Sequence, residues 1–166
     1  MGIGILTGSM EDTAPINAIP APSMEKPSIV SLYSDLSKLR LSMLVVVTTG
    51  AGFILASPLG IDWLVFLWTI IGTFCCASAA ATLNQVFEKR RDTLMPRTKN
   101  RPIPAGHISA VHGFVFGMLL AYIGVAILSF GATIMAAGIA LLTIFIYVLV
   151  YTPLKPITSF NTLVGA

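Results

Sequence analysis

Residues 63–102 read WLVFLWTIIGTFCCASAAATLNQVFEKRRDTLMPRTKNRP, and this stretch decides what kind of molecule the chain is. From Trp63 to Phe87 it carries no charged side chain. That run exceeds the roughly 20 residues a helix needs to cross the hydrocarbon of a bilayer. Unpaired backbone amides are very costly in lipid, so a run of this kind has to be helical. It then passes without a turn signal into Glu88 and a dense cluster of charge. Lys89, Arg90, Arg91, Arg97, Lys99 and Arg101 supply most of the 10 Lys and Arg residues in the chain.

Working outward, three more apolar segments appear, at residues 39–56, 110–130 and 132–152. Ser57, Pro58 and Gly60 interrupt the chain after the first, and Gly131 separates the last two. Over the 166 residues, 55% are hydrophobic, 10% are charged and the mean hydropathy is +0.87. A soluble domain carries about 25% charged residues, so this chain cannot cover a water-facing surface. Disorder is excluded by the same apolar content. A disulfide scaffold is excluded because the 2 cysteines, Cys75 and Cys76, are adjacent within an apolar run, where packing accounts for them. The reading is an all-α, polytopic transmembrane helix bundle with four spans. The basic cluster lies between two spans, which points to a membrane-proximal loop or an anion site and not to nucleic acid.

Residues 1–37 contain Pro15, Pro20, Pro22 and Pro27 and no sustained periodicity, and so read as a flexible tail. They lack the basic start and apolar core of a secretory signal. Before Lys38 the tail holds Lys26 as its only basic residue against Glu11, Asp12, Glu25 and Asp35, unlike an Arg-rich organellar targeting segment. A bacterial inner-membrane protein is expected. Lys38 and Arg40 precede the first span, the 88–109 loop carries six basic residues, and Lys155 follows the last span. By the positive-inside rule these three regions, and the N-terminus, face the cytoplasm. Tyr33, Trp63, Trp68, Tyr147 and Tyr151 sit at or near segment ends, where interfacial aromatics belong. Gly72 and residues 77–81 of the second span are small, which lets helices approach closely.

The chemistry-bearing residues are Asn84, Glu88 and Asp92, spaced four apart. At about 100° per residue each step drifts only about 40°, so the three form one stripe, about 12 Å long. Two carboxylates and an amide offer the hard oxygen donors that Mg²⁺ takes, usually completed by substrate phosphate oxygens. Arg97 and Arg101 are also four apart, and guanidinium groups grip phosphate bidentately. A cation site beside an anion site would suit a Mg²⁺-bridged diphosphate. The plainer reading pairs Glu88 and Asp92 with Lys89, Arg90 or Arg91 at a wet helix end. It accounts for Asp92 and the arginines, but less well for Asn84 and Glu88, which stand at the apolar border where polar groups are expensive and tend to be functional. Beyond the last span, Lys155 offers a phosphate contact beside Tyr151, or else is an interfacial lysine that snorkels. His107 and His112 invite a heme-ligand reading, against the plain one of solvated loop histidines.

These residues resemble the UbiA-type intramembrane prenyltransferases, and within them the branch that farnesylates heme. The match is carried by Asn84, Glu88, Asp92, Met95, Arg97, Thr98, Arg101 and Pro102, then by Tyr151-Thr152-Pro153-Leu154-Lys155 and Asn161. It covers about residues 30–166, so that residues 38–166 would form part of the membrane prenyltransferase domain. The resemblance implies a bundle of about nine helices around a cavity open to lipid, and a second acidic motif in a later loop that binds a second Mg²⁺. That motif does not occur here, and a fragment or truncated gene carrying the first half is expected. It implies transfer of a farnesyl group from farnesyl diphosphate to a vinyl group of heme B, with addition of water. Asn84, Glu88 and Asp92 would hold Mg²⁺, and Arg97, Arg101, Tyr151 and Lys155 would contact the diphosphate. A heme A synthase or an oxidase-assembly factor would take the product. Other readings are a quinone-precursor aromatic as acceptor, a transporter segment, and a non-catalytic membrane scaffold.

Overall fold

The computed structural model describes residues 28–151, and of Val150 and Tyr151 the backbone alone. The elements in order are α1 (Ile29–Leu36), α2 (Leu39–Leu55), α3 (Trp63–Asp92), α4 (Ala110–Gly131), α5 (Ile134–Phe145) and a π-helical turn (Ile146–Tyr151). Among the described residues the structure is all helical, as the apolar patterning requires.

Helices α3, α4 and α5 each start on a side chain that satisfies amides the helix itself leaves open. Asp62 Oδ1 accepts from the N–H groups of Leu64 at 3.0 Å and Val65 at 3.2 Å. Ser109 Oγ accepts from His112 N at 3.1 Å, and Thr133 Oγ1 from Ala136 N at 3.1 Å. Helix α3 ends on Lys89, Arg90 and Arg91 in its last turn, where cations oppose the helix dipole favourably.

Helices α3 and α4 form the centre. Both are long and apolar enough to cross a membrane. They lie backbone to backbone, because Gly72 of α3 faces Gly124 and Leu128 of α4, and Gly117 faces Leu83. Cys76, Ala79, Leu83, Ala121, Leu128, Ala137 and Ile144 make the core between α3, α4 and α5. The large apolar side chains elsewhere, Leu64, Val111, Leu119 and Leu142 among them, point outward, as they do where lipid is the solvent.

Of the four expected spans, α3 and α4 qualify directly. The first span is half of a bent pair, since α1 and α2 meet at 55° and reach spanning length only together. The last runs from Ile134 through the π turn to Tyr151, where the described residues end, and its apolar part among them is Ile134–Leu149. Among the described residues two helices therefore qualify alone, or three with the bent pair. The stretch read as tail up to residue 37 also ends earlier, because Ile29–Leu36 is helical. Ser28 caps it, and Leu32, Tyr33 and Leu36 line one face that packs with Ile103, Ile108 and Phe116. Burying that face drives a helix too short to persist alone.

Gln85 ties this small helix to α3. It is fully buried, and its Nε2 donates to the carbonyls of Asp35 at 2.9 Å and Leu36 at 3.0 Å. Its Oε1 has no partner among the described residues. Gln85→Leu removes both bonds with little change of volume. At about 1 kcal/mol per bond, and so about 2 kcal/mol for the pair, amides of α1 are expected to exchange hydrogen about thirtyfold faster, with α3 and α4 unchanged. Equal protection of α1 in the variant would contradict this role.

Candidate active site at the charged end of helix α3

The stripe expected on α3 is present. Asn84 is 2% exposed, Glu88 5% and Asp92 4%. Beyond Gln85 these last two are the buried positions of α3, so one face of its charged end is covered and the rest is open. Asn84 Nδ2 donates to Glu88 Oε2 at 3.0 Å. Asp92 accepts at Oδ2 from Arg101 Nη1 at 2.7 Å. Among the described residues, the ion pair at this helix end therefore joins Asp92 to Arg101, nine residues on, and not to Lys89, Arg90 or Arg91.

The cover is the 93–109 segment. It folds back in successive turns, with Thr98 N and Lys99 N both donating to Met95 O, and Ala105 N to Arg101 O. Thr98 Oγ1 donates to the Asp92 carbonyl at 3.0 Å. Gly106 takes a φ of 80°, a left-handed value that glycine adopts readily. Ile103, fully buried, and Ile108 anchor the segment on Leu36. In this way Arg101 is carried to the stripe. Arg97, its expected companion, is exposed.

One turn before Asn84, α3 lines a cavity of about 550 Å³ bounded by α2, α3 and α5. On α3 its wall runs from Thr69 through Thr73, Ala77 and Ala80 to Ala81, about 18 Å at 1.5 Å per residue. The next polar residue on that face is Asn84. Two of the cavity's threonines add little polarity, because Thr69 Oγ1 and Thr143 Oγ1 return their protons to their own helices, at Val65 O and Ile139 O. Along α3 an oxygen-rich face therefore follows an apolar chamber, an order suited to a molecule with an anionic head and a greasy tail.

The oxygen donors fit a hard cation such as Mg²⁺. Among the described residues no three His, Cys, Asp or Glu side chains cluster as a complete cage. Two carboxylates and an amide leave coordination positions for phosphate oxygens and water, the usual case for Mg²⁺. The histidines lie elsewhere. His107 is exposed, and His112 Nε2 is 2.7 Å from Tyr33 Oη. The side chain of Tyr151, together with Lys155 and Asn161, lies outside the described residues.

Two site features escaped the sequence reading. Lys38, counted only as an orienting charge, lines the cavity, and its place depends on the α1–α2 elbow, which has no local signal. After Lys38, the second is Gln85, which holds the backbone of α1. A fully polar pair, Asn84-Gln85, inside an apolar helix was the available clue to Gln85.

Comparison with known proteins bears on the assignment. The model for the "UbiA prenyltransferase family" matches residues 45–166. The chain is 47% identical over 135 residues to the human mitochondrial protoheme IX farnesyltransferase, covering 81% of this chain and 30% of that protein. It is 41% identical to the mitochondrial protoheme IX farnesyltransferase of Arabidopsis thaliana, over 81% of this chain and 31% of that protein. It is 42% identical over 133 residues to the protoheme IX farnesyltransferase of Salinibacter ruber, covering 80% of this chain and 47% of that protein. The chain thus spans between 30% and 47% of the length of these curated relatives. No solved structure is significantly similar to it. With the family model matched along most of its length, the chain belongs to the UbiA prenyltransferase family.

Proposed function

We propose that this chain forms the diphosphate-binding part of a prenyltransferase that moves a farnesyl group from farnesyl diphosphate to a vinyl group of heme B, giving heme O. The observation that carries the reading is the buried row Asn84, Glu88 and Asp92 on α3, which begins one helical turn beyond the Ala80 and Ala81 wall of the apolar cavity. The relatives named protoheme IX farnesyltransferase favour heme as the acceptor.

The chemistry follows from the leaving group. The allylic carbon–oxygen bond of farnesyl diphosphate breaks, and its electron pair leaves on the diphosphate. The vinyl carbon of heme B bonds to the allylic carbon, and water adds to the adjacent position with loss of a proton. Bound Mg²⁺ would supply electrostatic stabilisation of the departing negative charge. Asn84, Glu88 and Asp92 would hold it through oxygen. Arg101, now paired with Asp92, would turn to the diphosphate, and the exposed Arg97 would join it. Lys155 and Tyr151 would contact the same group from beyond the last helix. Burial of the isoprenoid in the cavity keeps water from the allylic centre until the new bond has formed. The distribution of basic residues supports a cytoplasmic mouth and N-terminus; in a bacterial cell that membrane is the inner one. The heme O product would pass to a heme A synthase or an oxidase-assembly factor.

The test is incorporation of labelled farnesyl from its diphosphate into heme B by the full-length protein in lipid. Product that requires Mg²⁺ is expected. Transfer to an aromatic quinone precursor in place of heme would reassign the acceptor, and no transfer to either would refute the reading. A solute-transport role is disfavoured by the apolar cavity wall, since polar side chains line such pathways.

A further inference from the structure

Among the described residues Lys38 is the only one besides glycine with positive φ, at 46° with ψ 56°. L residues adopt this left-handed conformation at a cost, and such strain persists where the surroundings enforce it. Here the surroundings are specific. Gln85 holds the carbonyls of Asp35 and Leu36. Ser37 Oγ donates to Tyr33 O at 2.6 Å, and Ser42 Oγ donates to Ser37 O at 3.0 Å. Leu36 is locked against Ile103 and Ile108. The chain is thereby turned at one residue, and the lysine side chain is directed onto the cavity wall.

Among the described residues Lys38 is the only charged one lining that cavity. Ala81 shares the wall with it, and Asn84 follows Ala81 by three residues on the same face of α3, about 4.5 Å further along the axis. A cation between an apolar chamber and a row of oxygen donors matches the head of an amphiphilic anion. We propose that Lys38 is an anion-binding residue of this site, whose ammonium contacts a phosphate oxygen of an isoprenyl diphosphate with its chain in the cavity. The assignment rests on the prenyltransferase reading above, and it adds to the expected arginines a cation approaching from the α1–α2 elbow.

The experiment uses full-length protein in lipid, with Lys38→Met, Lys38→Arg and Lys38→Gly compared to wild type. The readouts are the KM for farnesyl diphosphate, the KM for heme B, and the inhibition or binding constant of inorganic diphosphate. In Lys38→Met the farnesyl diphosphate KM and the inorganic diphosphate constant are expected to rise about tenfold, with the heme B KM unchanged. Lys38→Arg should recover most of the loss. Lys38→Gly suits the left-handed backbone, so it should show the same loss with an undiminished melting temperature, which separates lost charge from lost fold. An unchanged diphosphate constant in Lys38→Met, an equal rise in both KM values, or a rise for heme B alone would each overturn the proposal. Asp92→Asn is measured in parallel. If it abolishes transfer while Lys38→Met leaves diphosphate affinity intact, the Lys38 assignment fails and the function stands. If wild type binds inorganic diphosphate without transferring farnesyl, the function fails and the Lys38 variants still decide the anion contact. If wild type neither transfers nor binds, both fail.

Discussion

Alanine at Glu88 or Asp92 of the full-length protein is expected to lower Mg²⁺-dependent farnesyl transfer by about a hundredfold or more in kcat, and Asn84→Ala by a comparable factor. Removing one preorganised group that stabilises developing transition-state charge costs about 10²–10³ in rate. These side chains share one covered face and are each at most 5% exposed, so water is poorly placed to replace them. The effect should fall on kcat because charge on the diphosphate grows as the bond breaks. Loss of folding is a separate matter. Asp92 sits at the last turn of α3 with a partner, Arg101, that is 27% exposed, and Arg101 released from it can reach water. Helix content and melting temperature of Asp92→Ala should therefore stay near wild type. Retained turnover in all three variants would remove the site assignment.

The second large effect is structural. Gly124→Val should lower the stability of the helix bundle by about 1–3 kcal/mol, the usual cost of overpacking, seen as a clear fall in melting temperature in detergent or lipid. A Cβ at Gly124 would meet Cys76 Sγ at 2.6 Å, Cys76 N at 2.9 Å and Gly72 O at 2.9 Å. Two of these are backbone atoms, so no rotamer relieves the contact and the two helices must separate. The same pair is closed from the other side, where a Cβ at Gly72 would meet Leu128 Cγ at 2.7 Å. Separation would shift α4, and with it Leu128 at the cavity wall, so transfer should fall as well. Gly138→Ala is the control. Nothing lies within 4 Å of its Cβ position, and alanine is the better helix former by about 1 kcal/mol, so that variant should melt no lower than wild type. If both variants behave alike, the close approach of α3 and α4 is wrong.

The membrane class, the extents of α3 and α4 and the polar stripe were legible in residues 63–131. Hydropathy is a local property, and lipid forces an apolar run to satisfy its backbone within itself, so Trp63 and Ala110 mark helix starts without knowledge of neighbours. The 3.6-residue period alone puts Asn84, Glu88 and Asp92 on one face, and their burial agrees. Helix α1 was missed because prolines dominate the residues before it, although Leu32, Tyr33 and Leu36 carry a helical spacing. The last apolar segment is helical from Ile134 to Tyr151, but composition does not record where α-helical bonding gives way to the π turn at Ile146.

What the sequence by itself determined is the class of solvent, the central helices and the face on which the oxygen donors lie. Only the tertiary structure decided that Asp92 pairs with Arg101 and not with its adjacent bases, that Arg97 stays exposed, and that Lys38 reaches the cavity. The reason is range. Solvent preference and helical period act over one or two turns, whereas these placements depend on how the 93–109 segment folds back and where the α1–α2 elbow is held, through partners such as Gln85 that are distant in the chain.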